Sequence, residues 1–293
     1  MWRCLLLLLT LNLHAATGVE LALAGRCDEA MPLLDAAMRD ASLSEAGKRP
    51  VSTAGVRCSM LLNRQTDALS FLAWLQDHNP QDPEVLFLAV HVFSELSQRN
   101  ASALMKTAPD SPLVIQLNAE AFEKRGDLPK AIAEYRVLAA KAPDRLGVHY
   151  RAAGLLLSQG NTDEARQEFA AELKLDSRNA SAEYYLGELS ARPADALTHF
   201  RRAVELYPAF AEAQSRLGRT LLDLGQTPAA IEALEKAAQL APTDPATHQF
   251  LATAYQRAGR KADAAREFAQ QKSTAAARND QEKTLRRTVS GVQ

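Results

Sequence analysis

Apolar positions in residues 211–244 repeat at helical spacing. Leu217, Leu221, Leu222 and Leu224 form one stripe, with Gly218 set among them. Gly225 breaks the pattern. Thr227 and Pro228 then stand where a second helix would open, as an N-cap followed by proline at the first helical position. Ile231, Leu234, Ala237 and Leu240 give that helix its own stripe, and Pro242 ends it. The stretch predicts a helical hairpin of 34 residues. One hairpin cannot bury both apolar faces, so it needs neighbours of the same kind.

Those neighbours are present. Clear copies run over 112–145, 146–179, 180–210, 211–244 and 245 to about 272. Counted from the start of each copy, slot 8 holds Ala119, Ala153, Gly187, Gly218 and Ala252. Slot 20 holds Ala131, Ala165, Ala196, Ala230 and Ala264, once the short third copy is aligned on its second helix. Slot 24 holds Tyr135, Phe169, Phe200, Leu234 and Phe268. Gly126, Gly160, Gly225 and Gly259 mark the turn, and Pro143, Pro208 and Pro242 close the second helix. Small side chains at slots 8 and 20 let two helices cross closely. A large apolar group at slot 24 fills the space beside the crossing, and burying it is worth about 1.5–3 kcal/mol.

This pattern resembles the tetratricopeptide repeat, a helix–turn–helix with Leu-Gly in the first helix, alanine early in the second and a closing proline. Leu217-Gly218, Ala230 and Pro242 match it, as do Leu186-Gly187, Ala196 and Pro208. The family's slot-4 tryptophan is absent; His149, Gln214 and His248 stand there. The third copy lacks three residues around Ser190 to Pro193. The resemblance implies an all-α protein, a right-handed α-solenoid of tandem hairpins. Residues 19–111 read as divergent units: one ending with Gly25 and Ala30, one starting near Arg49, and a shortened one from Asp82 to Ser111 with a short second helix near Ala101 to Thr107. Residues 112–272 hold the five clear repeats, and 273–293 read as a polar C-terminal helix or tail.

The resemblance also implies a concave groove lined by first helices. Slots 5 and 9 place Gln116, Glu120, Tyr150, Gly154, Tyr184, Glu188, Ser215, Arg219, Gln249 and Thr253 on it. Tyr150 and Tyr184 either meet a partner or cover the flanks of neighbouring helices. Members that clamp a peptide's terminal carboxylate carry lysine at slot 5 and asparagine at slot 9; no copy here does. The implied function is a non-catalytic protein-interaction scaffold. The alternatives are an assembly subunit using convex faces and edges, or an accessory subunit of a peptidase or glycan-modifying system that is inactive alone.

The first residues change the expected setting. Arg3, the apolar run Leu5 to Leu13 and the small residues Ala15 to Gly18 follow a secretory leader, which assigns 1–18 to a signal peptide. The alternative is a buried first helix of a cytoplasmic protein. Export to a periplasmic or extracellular space would leave Cys27 and Cys58, which could pair or stay free. The leader's run is too short to span a bilayer, so no membrane span is expected after its removal.

Composition adds exclusions. The formal net charge is −1, which directs the chain to neither nucleic acid nor an acidic membrane. Arg260 to Gln293 carries eight Lys/Arg against four Asp/Glu and reads as a solvated end helix. The nucleophile-elbow, metalloprotease-helix, phosphate-loop and dinucleotide motifs are all missing, as is any Cys-x-x-Cys. His149 and His248 sit in packing slots, and His91 with Glu95 makes too few ligands for a metal. No cofactor, metal or nucleic-acid partner is expected; the expected partner is protein.

Overall fold

The computed structural model describes residues 15–290. Fifteen helices and no strand occur among them. The chain divides into two compact units, residues 1–109 and 110–293. In the first unit, α1 spans 15–23, α2 Cys27–Arg39, α3 Glu45–Leu61, α4 Gln65–His78 and α5 Pro83–Thr107. In the second, α6 (Pro112–Lys124) pairs with α7 (Leu128–Lys141), and α8 (Val148–Ser158) with α9 (Thr162–Leu175). Likewise α10 (Ala180–Glu188) pairs with α11 (Pro193–Leu206), α12 (Ala211–Asp223) with α13 (Thr227–Leu240), and α14 (Pro245–Arg257) with α15 (Lys261–Ser290). Each hairpin also packs on the next.

The slots behave as their chemistry requires. Tyr135, Phe169, Phe200 and Leu234 are all buried, while Phe268 in the last hairpin is half-buried. The slot-8 and slot-20 residues are buried in every clear repeat. The close crossing is visible at Gly187 and Gly218. A Cβ added to Gly187 would lie 2.6 Å from the Phe200 ring, and one added to Gly218 would lie 2.3 Å from Leu234 Cγ. Gly225 closes α12 with φ +74°, and its amide bonds to the Leu222 carbonyl. Such a left-handed residue satisfies carbonyls that the helix end leaves open. In the first unit Asn63, at φ +58°, takes the corresponding turn.

Three local expectations shift. Gln226 is the N-cap of α13 and Thr227 its first helical residue, with no side-chain capping bond. The shortened unit after Asp82 has no second helix. Its residues run as one 25-residue helix, α5, because no glycine or proline interrupts them between Pro83 and Thr107. The second helix of the last repeat likewise continues through 273 to Ser290 as α15. The leader pattern falls mostly on residues 1–14, outside the described ones; residues 15–23 are helical, and Ala15, Val19, Leu21 and Ala22 pack into the first unit's core.

That core gathers Met31, Leu34, Val56, Leu72 and Leu75 around a disulfide. Cys27 and Cys58 are bonded, with their Cα atoms 5.0 Å apart, tying the start of α2 to α3. Ser59 is buried and donates to the Met31 sulfur. Trp74 on α4 stacks on His78, one turn on, at 4.2 Å.

In the second unit one joint depends on a buried carboxylate. Gly147 opens α8 at φ +82° and has no side chain to cap it. Glu172 of α9, 1% exposed, supplies the acceptors instead: Gly147 N donates to its Oε1 at 2.7 Å and Tyr150 N to its Oε2 at 3.1 Å. Two amides that a helix start leaves open are thus satisfied by the partner helix. Glu172→Gln keeps one acceptor and turns an amide NH₂ against the other N–H. It is expected to cost about 1–2 kcal/mol in urea denaturation, with faster exchange of the first amides of α8. An unchanged midpoint and unchanged exchange would show that the carboxylate does not hold this joint.

The histidines at slot 4 are satisfied within the fold. His248 is buried, with Nδ1 2.7 Å from Glu267 and Nε2 2.9 Å from the Pro242 carbonyl. His149 lies 2.6 Å from Glu168. The third repeat reverses the pair: Glu183 stands on the first helix and His199 on the second, 2.7 Å apart. A His–Glu contact therefore links the two helices of these three hairpins. Among the described residues no group of three or more potential ligands could hold a metal ion, and no helix is long and apolar enough to cross a membrane.

Candidate functional site

Three successive first helices of the second unit, α10, α12 and α14, line a cleft of 450 Å³. Each is fixed at its start. Asn179 caps α10 by accepting from Ala182 N, and Asp244 caps α14 by accepting from Ala246 N and Thr247 N. α12 starts at Phe210, whose side chain offers no cap; its ring packs 5.1 Å from Tyr184 instead.

Tyr184, Ser215 and Arg219 all line this cleft. Glu188 adjoins it through Arg216, whose Nε lies 3.0 Å from Glu188 Oε1. Burial pushes the Glu188 carboxyl above its usual range, opposed by Arg216 and Arg219. Burial also pushes the Tyr184 phenol up, and Glu188 adds to the effect. Arg219 is exposed and makes no ion pair among the described residues; its guanidinium lies 5.2 Å over the Phe250 ring. A cation on an aromatic face, open to solvent on its other side, can meet an incoming carboxylate or carbonyl.

Ser215 belongs to the floor of the cleft. It is 7% exposed, and its hydroxyl donates to Thr247 Oγ1 at 2.8 Å, whose own proton goes to Asp244 Oδ2 at 2.6 Å. Arg216 and Phe250 were not among the expected residues. Both stand at slot 6, which shares a helical face with slots 2, 5 and 9 at the i, i+3, i+4, i+7 spacing, so the signal for them was present.

The other expected groove residues lie outside this lining. Tyr150 packs edge-on to Phe169 at 5.6 Å and 6.2 Å from Tyr185. With Tyr185 stacked on Phe169 and Tyr184 5.3 Å from Tyr185, these rings form a continuous aromatic ladder. Both expected tyrosines thus cover neighbouring helices, and Tyr184 also faces the cleft. Gln116 donates to Glu120 at 2.8 Å, and its buried Oε1 has no partner among the described residues. Gln249 is exposed, Thr253 donates to the Gln249 carbonyl, and a Cβ at Gly154 would meet nothing within 4 Å.

Two family models described as tetratricopeptide repeat match the chain, one at residues 150–192 and 189–245, the other at 221–282. No curated protein matches it in sequence. Solved structures do. A MamA crystal structure has a TM-score of 0.51 at 22% identity, covering 55% of this chain and 96% of that one. Residues 41 to the end of MamA from Desulfovibrio magneticus RS-1 give 0.52 at 23% identity, covering 57% and 97%. YrrB, a TPR protein with an unusual peptide-binding site, gives 0.53 at 18% identity, covering 59% and 91%. At these identities the likeness is one of fold. The fold of the chain is that of the tetratricopeptide repeat, an all-α solenoid of tandem helical hairpins.

Proposed function

We propose that the chain is a non-catalytic interaction scaffold that holds a segment of a partner protein in the cleft between α10, α12 and α14, within an exported or cell-envelope complex. Arrays of this fold serve protein interaction, and one feature here carries the reading further. Arg219 presents an exposed cation that makes no ion pair among the described residues and feels Glu188 only at longer range, set on Phe250 beside Tyr184 and Arg216. Aromatic and arginine side chains together are the usual anchors of a protein interface. The export part rests on the leader pattern in the sequence and fits the Cys27–Cys58 bridge, a bond that persists in oxidising compartments.

Full-length wild type, Arg219→Glu and a second-helix variant, Glu232→Lys with Lys236→Glu, are used to recover interacting proteins from the native source. Arg219→Glu is expected to lower recovery about tenfold, equivalent to about 1.4 kcal/mol, with far-ultraviolet circular dichroism unchanged. The second-helix variant is expected to match wild type. Equal recovery by Arg219→Glu and wild type would refute the cleft as the site; loss confined to the second-helix variant would assign binding to the convex face. Intact mass of the natively expressed protein tests export: a start near residues 16–19 supports it, and retained Met1 or Trp2 overturns it.

A further inference from the structure

The first unit carries a groove of its own, made by residues the repeat pattern did not point to. Its first helices, α1, α3 and α5, enclose three adjoining hollows of 410, 650 and 450 Å³. The first two share Arg49, Thr53, Arg57 and Glu84; the last two share Arg57, Leu88 and His91. They therefore read as one continuous surface, with Arg57 in all three.

Its walls are apolar and open. Leu23 is 74% exposed, Leu61 75% and Phe87 67%. Where other units fold a second helix back, α5 runs on for 25 residues, and nothing after Leu96 on it is buried.

The charge inventory is uneven. Arg49 is paired with Asp82 at 2.6 Å and with Glu84 at 3.0 Å, and Arg99 is paired with Glu95. Both carboxylates in the groove lining, Glu84 and Glu95, are thus engaged. Arg57 is exposed and has no ion pair or hydrogen bond among the described residues. His91 sits against Phe87, ring centroids 4.1 Å apart, and its Nδ1 meets the Phe87 carbonyl at 2.9 Å. A carbonyl can only accept, so Nδ1 carries the proton of that bond. The surface is thus an apolar trough with one unanswered cation at its middle.

We infer that this groove binds a protein segment in which an acidic residue is flanked by large apolar side chains. The carboxylate pairs with Arg57, and the flanking side chains cover Leu23 and Leu61 on one side and Phe87 and Leu88 on the other. A purely apolar segment would bury the guanidinium without a partner, which costs more than the apolar contact returns. A basic segment would place like charges together. Charge complementarity therefore selects the acidic, apolar-flanked class. The site is separate from the cleft of the second unit and does not depend on it.

A phage-displayed library of random dodecapeptides is panned on the full chain and, in parallel, on its Arg57→Glu variant. Peptides recovered only on wild type are expected to carry Asp or Glu between Leu, Ile, Phe or Met. The strongest is synthesised with its acidic residue and with the matching amide. On wild type the amide form is expected to bind about tenfold more weakly. On Arg57→Ala the two forms are expected to bind alike, and Phe87→Ala is expected to weaken both. Arg219→Glu is expected to leave both affinities unchanged, which separates this site from the second-unit cleft. The proposal is overturned if no peptides distinguish wild type from Arg57→Glu, if those that do lack an acidic residue, or if Arg57→Ala still discriminates acid from amide. A concentration-dependent dimer dispersed by Phe87→Ser would overturn it too, assigning the groove to a second copy of the chain. The altered residues are exposed, so circular dichroism of the variants is expected to match wild type.

Discussion

Loss of the Cys27–Cys58 bond, by reduction or by Cys27→Ala with Cys58→Ala, is expected to destabilise the first unit by about 3–4 kcal/mol. The bridge closes a loop across a sequence separation of 31, and the conformational freedom it removes from the unfolded chain sets that size. The effect should be local. The bond ties α2 to α3 within a core made of the first unit's residues alone. Hydrogen exchange with and without reductant is the direct measurement. Protection should fall across residues 27–75 and stay constant across 112–257. A uniform loss over both ranges, or no loss in the first, would show that the bond is not what stabilises α2 against α3.

Gly218→Ala is expected to cost about 2–3 kcal/mol, because its Cβ would stand 2.3 Å from Leu234 Cγ in a close-packed crossing. Leu234→Ala, at a side chain with no exposure, is expected to cost about 2–5 kcal/mol through the cavity it leaves. The two effects should not add. In the double variant the new methyl occupies space the leucine vacated, and the total should fall short of the sum by about 1 kcal/mol or more. Gly154→Ala serves as the control: the helix is the same in kind, a Cβ there meets nothing within 4 Å, and stability should hold or rise by up to about 1 kcal/mol. Urea denaturation of the four variants decides it. Strict additivity would mean that the crossing adjusts by backbone movement instead of by contact between these two residues.

The register of the second unit was legible because four independent requirements recur together. A small residue alone, such as Ala131, says little in an alanine-rich chain; Gly218, Gly225, Leu234 and Pro242 at fixed offsets say a great deal. Helix continuity was harder to read. Residues 83–107 and 261–290 carry strong helix formers where a turn was expected, and period alone cannot say whether two short helices or one long one results. The site was legible to the level of a face. Slots 5 and 9 placed Tyr184, Ser215 and Arg219 in one cleft, but which hydroxyl is taken by a neighbour depends on a residue one repeat away, as Thr247 shows for Ser215. The bridging role of Glu172 was invisible for the same reason: its partners, Gly147 and Tyr150, are 25 and 22 positions earlier.

The aromatic ladder has an optical consequence. All six tyrosines, including Tyr150, Tyr184 and Tyr185, lie in the second unit, while Trp74, the one tryptophan among the described residues, belongs to the first. The two units therefore carry different intrinsic chromophores. Trp74, stacked on a histidine, gives the first unit its own fluorescence signal, and the packed tyrosine rings give the second a near-ultraviolet dichroism band. The melting of each unit can be followed by wavelength alone, on the unlabelled and unmutated chain.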